Sequence, residues 1–164
     1  MKTVVTYGTF DLFHVGHVRL LKRLKALGDR LVVGLSTDQF NQIKGKKVII
    51  DFSATWCGPC WSYHNTGALE DIWEMYGPDG TDEVYVFFIE GDDTTTQEDL
   101  EGTGTATQGN WTEGTGYPII DDGGNIFDDY DGAYYPTIYT ICPNRMLTES
   151  GQVTSADHAD ILFA

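Results

Sequence analysis

The chain alternates short apolar runs with amphipathic stretches, which is the pattern of an α/β fold. Most of the apolar runs are rich in Val, Ile, Phe and Tyr and are too short for helices, so they are predicted to be buried strands. The predicted strands are TVVTYGTF (3–10), RLVVGLST (30–37), KKVIIDFSA (46–54), EVYVFFIEG (83–91), YPII (117–120) and PTIYTIC (136–142).

Helical periodicity fills the interval between the first two predicted strands. Val18, Leu21, Leu24 and Leu27 recur at every third position, and Gly28 follows as a natural C-terminal stop. This spacing predicts a helix over 14–27. A strand, a helix and a second strand in this order form a βαβ unit with parallel strands and a right-handed crossover.

Two further helices are predicted after the third strand. One should run from about Cys57 to Tyr76, and a short one should occupy SADHADILFA at 155–164. Residues 92–116 are rich in Thr and Gly and have no clear periodicity, so they are predicted to be an irregular insertion. No internal repeat is present in the sequence.

The composition is that of a globular domain rather than a disordered or membrane-spanning chain. Hydrophobic residues make up 41% of the 164 positions, enough to build a core. No apolar run approaches the roughly 20 residues of a membrane span, and a Gly and an Asp occur too early for the N-terminus to be a signal peptide. We therefore expect a soluble protein with no membrane partner, while the oligomeric state stays open.

Charge divides the sequence into two unlike parts. Residues 1–47 contain nine Lys/Arg and three Asp/Glu, a balance of +6, whereas residues 48–164 contain Arg145 and 22 acidic residues, a balance of −21. Such asymmetry is typical of segments that differ in role or origin. A strongly acidic surface lacks the clustered Lys/Arg that phosphate contacts need, so nucleic-acid polymers are not expected as partners.

The first candidate motif is YGTFDLFHVGH, which leads from the first strand into the first helix. A Gly-containing loop before a helix N-terminus offers free N–H groups and partial positive charge, which suit a phosphate. His14 and His17 are three residues apart, so both can lie on one face of the opening turn. An ordinary helix cap with polar His residues is the alternative, and the short motif alone leaves both open.

The longer stretch TYGTFDLFHVGHVRLLKRLKALGDRLVVGLSTDQFN resembles the nucleotidyltransferase superfamily, in particular the glycerol-3-phosphate cytidylyltransferase family, over residues 1–47. The resemblance implies a Rossmann-like βαβ unit and CTP binding. The positions that correspond to the family's nucleotide-binding residues are Gly8, Thr9, Phe10, His14 and His17, with Lys44 and Lys46 near its basic substrate-binding positions. The family's arginine-bearing segment and its Ile-Ser-Thr-Thr-like motif do not occur in this sequence, so the expectation is weak CTP or phosphate binding without nucleotidyl transfer.

The second candidate motif is ATWCGPCWSYH, in which Cys57 and Cys60 follow a strand and begin a helix. A helix N-terminus lowers the pKa of the leading thiol, and a second Cys two residues on can resolve a mixed disulfide. A zinc site would need four ligands, and beyond this pair the sequence offers only Cys142 and four scattered His residues. The motif therefore favours a redox-active Cys57–Cys60 disulfide with no required metal or cofactor.

From about residue 46 to residue 163 the sequence resembles the thioredoxin superfamily, in the form of secreted bacterial TlpA-like proteins. The resemblance is carried by VIIDFSATWCGPC and by YYPTIYTIC. It implies that Asp51 is the family's buried acid, that Trp56 is the aromatic residue before the nucleophile, and that Pro136 is cis and faces the active-site sulfurs. It further implies thiol or disulfide protein substrates and an extracytoplasmic parent for this part, whereas the cytidylyltransferase resemblance implies a cytoplasmic parent for the N-terminal part.

The two resemblances meet at Gly45-Lys46-Lys47, a Lys-rich stretch that suits both. We therefore expect domains at 1–46 and 47–164, and the simplest account is a chimera, recombined or engineered. The predicted fold is α/β: a thioredoxin-like three-layer sandwich with a grafted βαβ unit, whose strands join 47–53 or 84–89 in one sheet. Thiol–disulfide exchange is the predicted function. The alternatives are a nucleotide-binding module and a fold-chimera scaffold with no biological activity.

Overall fold

The computed structural model describes residues 2–8, 15–35, 45–121 and 125–164. The chain forms two compact units, Met1–Lys44 and Gly45–Ala164. Thr9, Phe10, His14 and Lys44, which belong to the candidate nucleotide site, lie outside the described residues.

The N-terminal unit is the predicted βαβ motif. Strand β1 (Thr3–Gly8), helix α1 (Val15–Lys25) and strand β2 (Arg30–Leu35) follow one another. The two strands are parallel, with Thr3 opposite Arg30 at one end and Gly8 opposite Leu35 at the other. The start of β2 is held beside the start of β1, because the backbone amides of Asp29 and Arg30 both donate to the Lys2 carbonyl, at 2.8 and 3.2 Å.

The second unit is built on a five-stranded mixed sheet. Its strands are β3 (Lys47–Ser53), β4 (Val84–Glu90), β5 (Ile119–Asp121), β6 (Thr137–Ile141) and β7 (Leu147–Glu149). The spatial order is β5-β4-β3-β6-β7. The β3–β4 and β4–β5 pairs are parallel, and the β3–β6 and β6–β7 pairs are antiparallel. Strand β7 was not among the strands predicted from the sequence.

Five helices accompany this sheet among the described residues. They are α2 (Gly58–His64), α3 (Ala68–Tyr76), α4 (Gln97–Leu100), α5 (Asn125–Asp129) and α6 (Ser155–Phe163). The single helix expected from Cys57 to Tyr76 is wrong, because it is interrupted after His64. The first piece ends at its C-cap Asn65, and Gly67, the N-cap of the second piece, has φ 71°, a left-handed conformation that interrupts the helical backbone.

Side chains along β3 alternate between the two faces of the sheet, and a hydrophobic core lies on each face. The sheet is therefore the middle of three layers. On one face Ile49 packs in a cluster with Cys60, Leu69 and Leu162, which come from α2, α3 and α6. On the other face Ile50 and Phe52 pack in a cluster with Phe127 of α5. The second unit is therefore a thioredoxin-like three-layer sandwich, as the sequence predicted.

The expectation that β1 and β2 join the strands at 47–53 or 84–89 is wrong. Among the described strands, β1 and β2 form a two-stranded sheet of their own. The reason is that neither expected partner has a free edge: β3 is hydrogen-bonded to β4 and β6, and β4 to β3 and β5. The antiparallel strand β6, which arrives from far along the sequence, takes the edge of β3 that a grafted strand would need.

Candidate functional site

The Trp-Cys-Gly-Pro-Cys motif lies where β3 ends and α2 begins. Cys57 is the N-cap of α2, and its Sγ accepts a hydrogen bond from the Cys60 amide at 3.2 Å. The Cys57 amide in turn donates to the Ala54 carbonyl at 2.9 Å, which turns the chain from strand to helix. Cys57 and Cys60 are joined by a disulfide, with their Cα atoms 5.3 Å apart. The predicted redox pair is thus assembled at the first turn of a helix.

Both cysteines are nearly enclosed, while the residue before them is open to solvent. Cys57 is 3% exposed and Cys60 is 1% exposed, so both residues are shielded from solvent in the disulfide form. Trp56 is 46% exposed, and its indole Nε1 donates to Asp92 Oδ2 at 2.7 Å. The loop therefore presents an aromatic surface directly beside a shielded disulfide.

The Tyr135–Pro136 peptide bond is cis, as the sequence predicted. Pro136 is buried and immediately precedes β6. The Tyr135 ring meets the Trp56 ring edge to face, with centroids 6.1 Å apart. Tyr135 also packs against the core cluster that contains Cys57 and Cys60. The segment before β6 is thus placed beside the redox motif, and a direct contact of Pro136 with the sulfurs stays a prediction.

Asp51 is buried in the middle of β3, at 2% exposure. Alternation puts its side chain on the same face as Ile49, which is the face covered by α2 and its cysteines. Ser53 Oγ donates a hydrogen bond to Asp51 Oδ1 at 2.7 Å. Burial raises the pKa of Asp51 to about 7, the Ser53 hydroxyl opposes this rise, and the charge of Glu70 adds to it. This carboxyl can therefore accept or release a proton near neutral pH.

A second buried acid, Glu90, was missed by the sequence analysis. It ends β4, and its carboxylate accepts hydrogen bonds from the Thr55 amide at 2.8 Å, the Asp92 amide at 3.1 Å and the Thr95 hydroxyl at 2.6 Å. Burial is the main influence on its pKa, which is raised. Residues 54–57, which join β3 to α2, form the redox loop. Because Thr55 belongs to this loop and immediately precedes Trp56, Glu90 fixes the backbone of the redox loop. The only sequence signal was an acid at the end of an apolar strand.

The insertion holds the redox loop from the other side. Thr55 Oγ1 donates to the Ala106 carbonyl at 2.7 Å, and the Gln108 amide donates to the Thr55 carbonyl at 3.0 Å. Gln108 Nε2 donates to the Trp56 carbonyl at 2.8 Å, and Trp111 Nε1 to the Thr55 carbonyl at 3.2 Å. The irregular segment at 92–116 thus forms one side of the site and holds the redox loop in place. Its lack of periodicity hid this role from the sequence analysis.

The last helix is tied to the helix that carries the cysteines. Tyr63 Oη is 2.7 Å from His158 Nε2 and donates to the Val153 carbonyl at 2.9 Å. His158 is fully buried, and burial lowers its pKa to about 4. The imidazole is therefore neutral at ordinary pH and acts as a fixed polar link between α2 and α6.

The described part of the chain contains no group of three or more His, Cys, Asp or Glu residues arranged to hold a metal ion. No helix in the described ranges is both long enough and apolar enough to cross a bilayer.

The described candidate nucleotide residues are divided between the two units. Gly8 ends β1 and His17 lies in the first turn of α1, both in the N-terminal unit. Lys46 belongs to the second unit, where its ammonium pairs with Asp82 Oδ2 at 2.6 Å. Nucleotide binding by these residues stays a prediction.

Comparison with known proteins matches the N-terminal part to cytidylyltransferases. The model of the cytidylyltransferase-like family matches residues 5–53. Glycerol-3-phosphate cytidylyltransferase from Staphylococcus aureus is 60% identical over 52 residues, which are 32% of this chain and 39% of that protein. The Bacillus subtilis protein of the same name is 41% identical over 104 residues, 57% of this chain and 73% of that protein. The chain thus spans well under half of the first of these relatives.

Solved structures resemble the chain in fold, at low sequence identity. Tryparedoxin II from C. fasciculata superposes with a TM-score of 0.53 at 17% identity, covering 73% of this chain and 77% of that one. A thiol-disulfide oxidoreductase from Bacteroides fragilis gives a TM-score of 0.55 at 14% identity, covering 77% and 87%. At such identities the likeness establishes the fold. The chain therefore shows two similarities: one in sequence to cytidylyltransferases, with the family model at residues 5–53, and one in structure over most of its length.

Proposed function

We propose that this chain, which belongs to the cytidylyltransferase-like family in its N-terminal segment and has a thioredoxin-like fold over most of its length, is a thiol–disulfide oxidoreductase. The observation that carries the proposal is the Cys57–Cys60 disulfide at the start of α2, with the Cys60 amide donating to Cys57 Sγ at 3.2 Å. A donor aimed at the sulfur stabilises the thiolate, which is the form that attacks a disulfide.

In the reduced protein, the Cys57 thiolate attacks one sulfur of a substrate disulfide. A mixed disulfide forms and the other substrate sulfur leaves as a thiolate. Cys60 then attacks Cys57 Sγ, which releases the second substrate thiolate and leaves the Cys57–Cys60 disulfide. Two electrons pass from the protein to the substrate, and the protein returns to the reduced form when a dithiol reverses the exchange.

Four neighbouring residues support these steps in the proposal. Asp51, with its pKa near 7 and its place on the cysteine-facing side of β3, takes the proton that Cys60 loses before it attacks. Trp56 and Tyr135 form the aromatic surface on which the substrate chain rests. Pro136, which is buried directly after Tyr135, shapes the groove that receives the substrate chain.

The proposal is tested by reduction of insulin disulfides with dithiothreitol as electron donor. The full chain should accelerate the reaction over dithiothreitol alone, and Cys57→Ser should remove the acceleration. Cys142→Ser is the matched control, because Cys142 is the free cysteine of the chain, and it should retain the wild-type rate. A Cys57→Ser protein as active as wild type would place the chemistry elsewhere and defeat the proposal.

Nucleotide binding is a second candidate function for the N-terminal unit. It is supported by the match of residues 5–53 to the cytidylyltransferase-like family and by 60% identity to the Staphylococcus aureus protein over 52 residues. The described βαβ unit supplies a strand end at Gly8 and a helix start near His17, the arrangement that binds phosphates in many α/β proteins. We propose that the N-terminal unit binds CTP or phosphate weakly and does not catalyse nucleotidyl transfer.

A further inference from the structure

The basic residues of the second unit are concentrated at the end of its sheet that lies away from the redox loop. The parallel strands β3 and β4 end side by side at Ser53 and Glu90, and the redox loop follows directly. Acidic residues occupy this end. Glu90 ends β4, Asp92 and Asp93 follow it, and Asp121 ends the parallel neighbour β5. A disulfide placed here lies in a region of negative potential.

The cations of the second unit lie at the opposite end of the same sheet. Its sequence contains Lys46, Lys47 and Arg145 as its only Lys or Arg residues. Lys47 begins β3, and Arg145 lies in the turn after β6, whose last residue Ile141 is opposite Val48. Seven residues of strand separate the two ends by about 20 Å, which exceeds the screening length of about 8 Å at physiological salt. These cations therefore do little to neutralise the acids around the cysteines.

The acids reach the exposed aromatic surface itself. Asp92 accepts the Trp56 indole N–H at 2.7 Å, and hydrogen bonds, chiefly from the Thr94 hydroxyl, lower the pKa of Asp92. The Tyr135 ring stacks on Phe127 with centroids 4.5 Å apart, and Asp128 is the next residue of that helix. Burial raises the pKa of Tyr135 to about 12, and the charges of Asp92, Glu90, Asp128 and Asp93 contribute to the rise.

We propose that the redox partner of this chain is a cationic polypeptide, with Lys or Arg beside its reactive cysteines. This inference rests on the proposed function and names its substrate class. In the complex, the ammonium or guanidinium groups lie against Asp92, Asp93 and Asp128, and their aliphatic stems pack on Trp56 and Tyr135. The exchange itself is the one described above: the partner's disulfide is reduced to two thiols, and Cys57 and Cys60 are oxidised.

The test compares three cyclic peptides that each contain one disulfide and differ only in two flanking residues, which are Lys, Gln or Glu. Dithiothreitol supplies electrons, and kcat/KM is measured with the full chain, so that any effect of the basic N-terminal unit is included. We expect the Lys peptide to exceed the Glu peptide by about tenfold or more at low salt, and the difference to shrink as salt rises.

Two double variants show which acidic residues cause the preference for the Lys peptide. Asp92, Asp93 and Asp128 form the acidic rim of the site. Asp93→Asn with Asp128→Asn removes two exposed charges of this rim and should abolish most of the preference for the Lys peptide over the Glu peptide. Asp79→Asn with Asp160→Asn removes the same charge elsewhere. Asp79 precedes β4, and Asp160 lies one turn from Phe163, whose ring contacts Lys47. This control should keep the preference.

The results distinguish failure of the thiol–disulfide oxidoreductase function from failure of the cationic partner. If no peptide is reduced faster than by dithiothreitol alone, the proposed function fails. If the three peptides are reduced at equal rates, the proposed function stands and the cationic partner is ruled out. If the control variant loses the preference as fully as the rim variant, the selectivity comes from net charge and the rim is not the docking surface.

Discussion

Asp51 shows what burial does to a single ionisable residue in this fold. It is enclosed by the core, and Ser53 donates a hydrogen bond to one of its oxygens. Burial raises its pKa to about 7, so the folded protein binds this proton more tightly than the unfolded chain does. Stability from this group is therefore greatest below the unfolded pKa, near pH 4, and declines as pH rises through about 7.

Asp51→Asn should stabilise the protein at pH 8 and have little effect at pH 4. The rise of this pKa from 3.8 to about 7 corresponds to roughly 4 kcal/mol in the free energy of unfolding. Urea unfolding of the wild type and the variant at both pH values measures the difference. Asp79→Asn, at an exposed position, should show no such pH dependence. A difference for Asp51→Asn that is equal at pH 4 and pH 8 would contradict the buried-charge account.

Residues that belong to a local motif could be predicted from the sequence, and residues that act across the fold could not. The Cys57–Cys60 disulfide was expected from its motif, the cis peptide before Pro136 was implied by the thioredoxin resemblance of YYPTIYTIC, and both are present. Glu90 was missed because its partners, Thr55 and Thr95, are on segments 35 residues before and 5 residues after it. Only the folded chain brings those donors to one carboxylate.

Among the larger elements, the insertion at 92–116 is the one whose role differs most from its appearance in the sequence. It begins with a capped turn: Thr96 and Asp99 form a capping box at the start of α4. Its centre is Trp111, which is 1% exposed, lies edge to face against Trp61 at 4.9 Å and donates to the Thr55 carbonyl. A polar, aperiodic segment is thus anchored by one aromatic residue in the main core.

Trp111→Ala should destabilise the second unit by about 3–5 kcal/mol, because it removes a large buried side chain and leaves a cavity under the redox loop. Trp111→Phe is the matched control. It retains most of the ring and loses the hydrogen bond to Thr55, which costs about 1 kcal/mol. Chemical unfolding followed by circular dichroism measures both. Equal stabilities of the Ala variant and the wild type would show that the insertion is not anchored by this residue.

Elements were predicted more reliably than their connections. The βαβ unit, the strands at 47–53 and 84–90, and the last helix follow from periodicity that packing did not override. The break between α2 and α3 depends on the left-handed conformation at Gly67, which a glycine permits but does not require. The error about the continuous sheet has a similar origin. Nothing local in KKVIIDF indicates that β6, about 90 residues later, occupies its second edge.

At the scale of the whole molecule, the chain combines a segment of one family with most of another fold. The cytidylyltransferase-like match runs from residue 5 to residue 53, so it extends past the N-terminal unit and through β3. Strand β3 therefore has the sequence of one family and lies at the centre of the other fold's sheet. A buried parallel strand needs only an apolar run with a suitable register, which explains how one sequence can satisfy both.

The final prediction is that the chain binds CTP no more tightly than about 1 mM, a binding free energy of about −4 kcal/mol, and forms no CDP-glycerol. The resemblance implies that nucleotidyl transfer also needs an arginine-bearing segment and an Ile-Ser-Thr-Thr-like motif, and neither occurs in residues 48–164. Loss of even one preorganised donor typically lowers a rate by about 10²–10³, and the loss of several compounds the effect. The balance of −21 in residues 48–164, against +6 in residues 1–47, further repels a triphosphate.

Calorimetric titration with CTP, and an assay for pyrophosphate release with glycerol 3-phosphate, measure the two parts of this prediction. His14→Ala and His17→Ala remove the side chains that would meet the phosphates, and Cys57→Ser leaves residues 1–47 unchanged as a control. Because the sequence lacks the family's later nucleotide-binding segments, we expect the His variants to differ from the control by only a few-fold. Micromolar affinity that His14→Ala abolishes and Cys57→Ser preserves would mean that the N-terminal unit alone is a competent nucleotide site, and the second candidate function would then take precedence over the first.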